Sequence, residues 1–251
     1  MISILNPFYL DPWLAEFDAV LHGGYQAWEL THAIVVGADA TFIVAVIYAV
    51  GWFVVMWGFL FWQTCRLHRP VERQQFFTAF VLCWVVLGAV AALFLSSAGP
   101  CYYADVTGMG DLYAPLMDRL TAIQNELVLH EDFRRTGLRA LDTQGVLWES
   151  YTTGEVIVGA GISAMPSMHV AIATLCALTA WQANRIFGCI MIVYVLVIVF
   201  GSVHLAWHYA VDAYFAIIGT FIIWHFSGGF ARYFCKDFGD STSNLRLQPT
   251  G

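Results

Sequence analysis

The chain has 251 residues, of which 59% are hydrophobic and 12% are charged. A water-soluble domain carries about 25% charged residues, so this composition excludes an ordinary soluble protein and predicts an integral membrane protein. The formal net charge of −7 gives no indication of nucleic-acid binding, which requires a basic surface. We therefore expect a polytopic, all-α protein whose principal surroundings are the bilayer.

Residues 1–40 are predicted to form an interfacial segment ahead of the first membrane span. Asp11 is expected to cap a helix that begins at Pro12 and ends at Gly23 and Gly24. Apolar side chains at helical spacing give this helix one apolar face, which should lie in the membrane interface. These side chains are Trp13, Leu14, Phe17, Val20 and Leu21.

Five apolar runs predict the membrane spans, because a spanning helix needs about 20 apolar residues. They cover residues 42–62, 76–95, 170–181, 186–203 and 209–226. The third run is long enough only if its helix begins at Pro166 and ends near Asn184. The membrane domain is thus expected at 41–236, as a bundle of five to six spans, followed by a disordered cytoplasmic tail at 237–251.

Basic residues predict the orientation of the bundle, because they are enriched on the cytoplasmic side. Three groups lie on one side of the predicted spans: Arg66, Arg69 and Arg73; Arg185; and Arg232, Lys236 and Arg246. The long loop 99–162 is richer in acidic residues and should lie outside the cell. Part of it should be helical, since apolar residues recur there at helical spacing: Leu116, Leu120, Ile123 and Leu127.

Two polar motifs occur at the predicted outer ends of the spans, where ionisable groups are costly and usually functional. In Pro166-Ser167-Met168-His169, Ser167 could donate a hydrogen bond to a phosphate, and a protonated His169 could give a proton to a leaving oxygen. Alternatively, Ser167 merely caps a helix and His169 extends to water.

His208 and Asp212 form the second motif and are spaced to share one helical face. The carboxylate could then orient the imidazole so that its other nitrogen acts as a nucleophile. Alternatively, the two side chains are a hydrogen-bonded pair that packs two helices.

In this order, Pro-Ser-x-His followed by His-x-x-x-Asp resembles the motifs of the type 2 phosphatidic acid phosphatase superfamily. The resemblance covers residues 76–226. It implies a six-helix-type bundle that acts on a phosphorylated lipid without a metal or another cofactor. It also implies a phosphohistidine on His208, orientation of that residue by Asp212, and proton donation by His169.

The sequence departs from the family pattern at the residues that usually bind the phosphate. The family's first motif has a lysine and, six residues later, Arg-Pro, but the corresponding segment here is Ser96-Ser97-Ala98-Gly99-Pro100-Cys101-Tyr102-Tyr103. The arginine expected six residues before the last histidine is replaced by Ser202. The phosphate would thus lose its usual cations.

Other side chains could take the place of these cations. Besides Ser167, the candidate substrate-binding residues are Tyr102, Tyr103 and His204. A cluster of arginines in the outer loop could also cover the phosphate, or could simply be a solvated surface: Arg134, Arg135 and Arg139.

Several functional alternatives stay open. The segment from His208 to Tyr214 is similar to the last motif of a branch without these cations, which contains the inositol phosphorylceramide and sphingomyelin synthases. These enzymes transfer a phosphorylated head group, so a lipid or polyol could replace water as acceptor. Outside this branch, a zinc ion could be bound by His204, His208, Asp212 and His169. Alternatively, a transporter or scaffold could reuse the fold. In the enzyme interpretation, the site lies on the extracytoplasmic side of the cell membrane.

Overall fold

The structure, a computed structural model, describes residues 6–130, 132–154 and 161–246. Within these residues it contains helices and no strand, which confirms the predicted all-α class. The helices are α1 (Asp11–Leu21), α2 (Ala27–Ile34), α3 (Ala38–Cys65), α4 (Pro70–Phe94), α5 (Tyr103–Thr107), α6 (Ala114–Val128), α7 (Arg139–Thr153), α8 (Met168–Ala183), α9 (Arg185–His204) and α10 (Ala210–Arg246).

In the described part of the chain, four helices are long and apolar enough to cross a membrane: α3, α4, α9 and the Ala210–Cys235 portion of α10. The helix of the third apolar run, α8, has 16 residues, fewer than the about 20 that a full span needs. It nevertheless lies at the centre of the bundle, where it is largely buried and packs against all four longer helices. Four long spans around a shorter central helix give the architecture of a multi-pass membrane protein.

The N-terminal helix α1 packs against the rest of the protein with a face that carries two carboxylates. Its buried residues are Asp11, Leu14, Ala15 and Asp18, whereas Trp13 and two further apolar residues of the predicted face are exposed. Asp11 is also not the N-cap residue, because Leu10 occupies that position. Both carboxylates find hydrogen-bond donors inside the protein, and this determines which face is buried.

The last helix continues as far as Arg246. The backbone therefore differs from the disorder predicted for 237–251 over the part of that segment that the structure describes. Adding a residue to an existing helix requires no new nucleation, which allows a long helix to extend into a polar sequence. Residues 247–251 lie outside the described residues.

Helices α5 to α7 cover the end of the bundle at which α8 and α10 begin. Leu116, Leu120, Ile123 and Leu127 are buried in α6, so the helix predicted from their spacing is present. The side-chain amide of Gln144 in α7 donates to the Leu205 carbonyl (3.0 Å). The backbone carbonyl of Gln144 accepts from the Tyr102 hydroxyl (2.8 Å). Residues 131 and 155–160 of the predicted 99–162 loop lie outside the described residues.

We predict that Leu129 and Leu67, which are 84% and 72% exposed, lie on opposite sides of the membrane, since they belong to opposite ends of the bundle. In a background with Cys65 and Cys189 replaced by alanine, Leu129→Cys should react with a membrane-impermeant maleimide in intact cells. Leu67→Cys should react only after permeabilisation. The opposite labelling pattern would invert the predicted orientation.

Candidate active site

A cavity of about 780 Å³ lies between α3, α7 and the segments that precede α8 and α10. His169 and His208 both line it. Most of the remaining wall is apolar, and α3 contributes the largest part of it: Phe42, Ala45, Val46, Tyr48, Ala49, Val50 and Phe53. The structure thus brings the two histidines of the two motifs into one cavity.

Two aromatic side chains of α3 hold the half-buried His169. The imidazole stacks on Tyr48, with 4.5 Å between ring centroids, and lies 4.4 Å from the ring of Trp52 at a tilt of 39°. The Trp52 indole N–H also donates to the His169 carbonyl at 3.0 Å. These contacts fix the plane of the imidazole, so His169 faces the cavity and does not extend freely to water.

His208 lies in the turn between α9 and α10, with its Nδ1 3.5 Å from Oδ2 of Asp212. The prediction that both residues share a helical face is wrong in detail, because α10 begins only at Ala210. The turn still places the fully buried Asp212 carboxylate beside the ring, where it also accepts from the Tyr209 N–H (3.1 Å). Since Nδ1 faces the carboxylate, Nε2 is the nitrogen available to a ligand.

Ser167 joins the starts of α8 and α10. It is the residue preceding α8, but its side chain makes no capping hydrogen bond, contrary to the simple capping interpretation. Its backbone N–H donates to the Asp212 carbonyl (3.4 Å). The buried Ser167 hydroxyl has no partner among the described residues and does not line the cavity.

The two candidate tyrosines occupy different positions. Tyr102 lines the cavity, but its hydroxyl donates to the backbone carbonyl of Gln144, and burial raises the pKa of Tyr102. Tyr103 packs edge-on against Tyr113, with 5.4 Å between ring centroids, and does not line the cavity. Only Tyr102 is therefore placed near the histidines.

His204 lies in a separate buried cluster, outside the lining of the cavity. Its ring stacks on His32, with 3.9 Å between centroids, and its Nε2 is 3.0 Å from the Thr41 hydroxyl. Burial lowers the pKa of His32, which favours the neutral form in this cluster. Among the described residues, no group of three or more histidines, cysteines and acidic residues is arranged to hold a metal ion.

Asp11 supports the site but was missed as a site residue in the sequence. Its buried carboxylate accepts from the Ser97 hydroxyl (3.0 Å), the N–H groups of Ala98 (3.0 Å) and Gly99 (2.9 Å), and the Tyr209 hydroxyl (3.0 Å). Burial raises the pKa of Tyr209, so this hydroxyl stays protonated and remains a donor. Asp11 thus connects α1 by a hydrogen bond to Tyr209, the residue that follows His208.

Asp18 provides a second connection between α1 and α10. It accepts from the N–H of Val211 (3.2 Å), in the first turn of α10, and from the N–H of Ala27 (3.3 Å). Burial raises the pKa of Asp18, and the nearby His22 opposes this shift. The first N–H groups of a helix lack partners within it, so Asp18 caps α10 from another element. The spacing of Asp11 and Asp18, two turns apart on one face, is the sequence signal for this role.

We predict that Asp11→Asn destabilises the protein by about 2–4 kcal/mol, because the amide cannot accept the Ala98 hydrogen bond and loses the charge that strengthens the others. Thermal unfolding in detergent, followed by circular dichroism, measures the loss. Glu16→Gln is the matched control, since Glu16 is exposed on the same helix. Equal stability of the two variants would show that the hydrogen bonds of Asp11 do not stabilise the packing of α1.

A family model described as PAP2 superfamily matches residues 12–226. This match includes α1 and so extends well beyond the segment 76–226 that carries the sequence resemblance. Comparisons with curated proteins and with solved structures gave no match. Members of the matched superfamily are phosphatases or phosphotransferases. Because the match covers most of the chain and both histidine motifs, the chain belongs to the PAP2 superfamily.

Proposed function

We propose that the protein is a membrane phosphatase or phosphotransferase that acts on a phosphorylated lipid through a phosphohistidine at His208. The observation that carries the proposal is that His169 and His208 line one cavity, while the buried Asp212 carboxylate lies 3.5 Å from Nδ1 of His208. Membership of the superfamily supports the reaction class. The geometry of the pair supports the assignment of His208 as nucleophile.

In the proposed reaction, Nε2 of His208 attacks the phosphorus atom of the lipid. The bond from phosphorus to the leaving oxygen breaks, and that oxygen takes the bonding electron pair and a proton from His169. Asp212 stabilises the positive charge that develops on the His208 ring. Water or an alcohol then attacks the phosphohistidine, His169 accepts its proton, and His208 leaves as neutral imidazole.

The walls of the cavity support a lipid as substrate. Val46, Val50 and Phe53 line the cavity, and each is also at least 40% exposed on the outer surface of α3. The cavity is therefore open towards the side of the bundle, which faces hydrocarbon in a membrane. An acyl chain could occupy this opening while the phosphate reaches the histidines, as expected for apolar pockets with a few polar groups.

The position of the basic residues supports an extracytoplasmic site in the cell membrane. Arg66 and Arg69 lie between α3 and α4, and Arg185 begins α9, all at the end of the bundle opposite the cavity. Positive charge marks the cytoplasmic end of membrane helices. The lipid would then be taken from the outer leaflet.

We predict that His208→Ala reduces turnover of phospholipid by at least about 10³-fold, because no nucleophile remains. Asp212→Asn should also reduce it strongly, since the ring loses its orienting carboxylate. Release of phosphate or of the phosphorylated head group from a panel of phospholipids in mixed micelles measures turnover. The assay buffer contains EDTA, so that a zinc-dependent reaction would be silent.

His225→Ala provides the control, because His225 is an exposed histidine on the same helix as Asp212. It should retain the activity of the unmodified protein. Substantial turnover by His208→Ala would exclude the covalent mechanism. An unmodified protein that turns over no lipid of the panel would favour the scaffold or transporter alternative.

We favour transfer over hydrolysis, within the branch that resembles inositol phosphorylceramide synthase. One support is that neither the segment 96–103 nor position 202 contains a lysine or arginine. The other is that the outer helices α6 and α7 cover this end of the bundle. After His208 has taken the phosphoryl group, the outcome depends on which hydroxyl reaches it. A covered site favours a bound lipid or polyol over bulk water.

We predict that added ceramide, diacylglycerol or inositol increases turnover and gives a new phosphorylated product. Mass spectrometry of the lipids, with and without each acceptor, measures the product. Its yield should rise with acceptor concentration. Release of inorganic phosphate at a rate that no acceptor changes would identify the protein as a phosphatase.

A further inference from the structure

The geometry points to Arg139 as the cation that binds the phosphate in this chain, in place of the cations missing from the family motifs. This inference rests on the proposed function. Among the described residues that line the cavity, Arg139 is the one arginine or lysine, and no aspartate or glutamate lines it. A site formed by two histidines and an arginine, without a carboxylate on its wall, suits an anion.

The fold presents Arg139 to the cavity from a fixed helix. Arg139 is the first residue of α7, and Thr143 and Leu147 follow at intervals of four, so the three residues share one face. All three line the cavity. The face of α7 that begins with Arg139 therefore forms the outer wall of the site.

Hydrogen bonds hold α7 in this position at two places. Before Arg139, the Leu138 N–H donates to the side chain of Gln124 in α6. Beyond it, the side chain of Gln144 donates to the carbonyl of Leu205, three residues before His208, at 3.0 Å. The helix that carries Arg139 is thus tied to the turn that carries His208.

Other arginines of the outer segment are engaged elsewhere. Arg134 pairs with Asp132 at 2.5 Å and with Asp39 at 2.7 Å, and Arg119 donates to the His32 carbonyl at 3.2 Å. Neither lines the main cavity. Hydrogen bonds from Arg134 lower the pKa of Asp132 to about 2, consistent with a persistent ion pair. The side chain of Arg135 lies outside the described residues.

Arg139, in contrast, forms no ion pair with any residue that the structure describes. Arg139 is exposed to solvent and also lines the cavity. A guanidinium offers parallel N–H groups to two phosphate oxygens, a geometry that a lysine ammonium cannot reproduce. Arg139 would therefore orient the phosphorus atom towards His208 as well as attract it.

The test compares Arg139→Gln and Arg139→Lys with the unmodified protein. Orthovanadate, a phosphate analogue, is the probe, and its inhibition constant is measured together with kcat and KM for the phospholipid. Arg139→Gln should weaken inhibition by about 10- to 100-fold, the range expected for loss of a charge-assisted pair, and should raise KM. Arg139→Lys should recover part of the affinity. Arg69→Gln is the control, because it removes an exposed arginine paired with Glu72 at the opposite end.

A second measurement does not depend on turnover. Orthovanadate should raise the midpoint of thermal unfolding of the unmodified protein and of Arg69→Gln, and should raise that of Arg139→Gln by clearly less at the same concentration. Each shift is measured relative to the same variant without vanadate, so a variant with a lower melting temperature is still informative. Arg139→Lys should show an intermediate shift. Equal vanadate binding by Arg139→Gln and the unmodified protein would overturn the inference. Turnover by His208→Ala would instead overturn the proposed function. The role of Arg139 in binding phosphate would then be decided by the vanadate-binding measurement alone.

Discussion

A carboxylate withdrawn from water is tolerated when several donors replace the water, and Asp11 obtains four of them from two distant parts of the chain. Three come from residues 97–99 after α4, and one comes from Tyr209 before α10. If either segment moved away, the buried Asp11 carboxylate would lose donors that water could not replace. The position of His208 therefore depends on α1, a helix that contributes no side chain to the described lining of the cavity.

The segment around Gly99 shows what has replaced the first family motif. Gly99 has a φ of +95°, and a Cβ atom there would lie 2.6 Å from the Trp207 carbonyl oxygen. The neighbouring Cys101 N–H donates to the Ala206 carbonyl (3.1 Å), and the Ser97 carbonyl accepts from the Ala164 N–H (2.8 Å). Close backbone contacts thus occupy the place where other members carry a lysine and an arginine. In this chain the segment positions the turn before His208.

The parts of this structure that depend on local sequence could be predicted, and those that depend on distant partners could not. The apolar runs identified the four long apolar helices and the shorter α8, and the spacing of His208 and Asp212 identified their pairing. The role of His204 could not be predicted, because its partners His32 and Thr41 come from the other end of the chain. For the same reason, the apolar residues of α1 gave no sign that Asp11 and Asp18 on this helix are buried.

The contacts of Tyr48 with His169 could not be predicted either, and they arise from an irregularity in α3. Residues Ile47–Gly51 form a π-helical turn, a feature that often occurs at functional sites because it changes which side chains face a neighbour. Here Tyr48 lies in that turn and Trp52 directly follows it, and both contact the ring of His169. A regular hydrophobic pattern gives no sign of such a turn.

The different surroundings of the two histidines fit different roles in the proposed reaction. His208 faces the Asp212 carboxylate, which stabilises a positive ring and hence a phosphohistidine. His169 faces two aromatic rings, and the described residues give it no carboxylate partner. Without such a partner, a protonated His169 is less stabilised and releases its proton more readily to a leaving oxygen. The same electrostatic argument therefore supports both roles that we propose, His208 as the nucleophile and His169 as the acid.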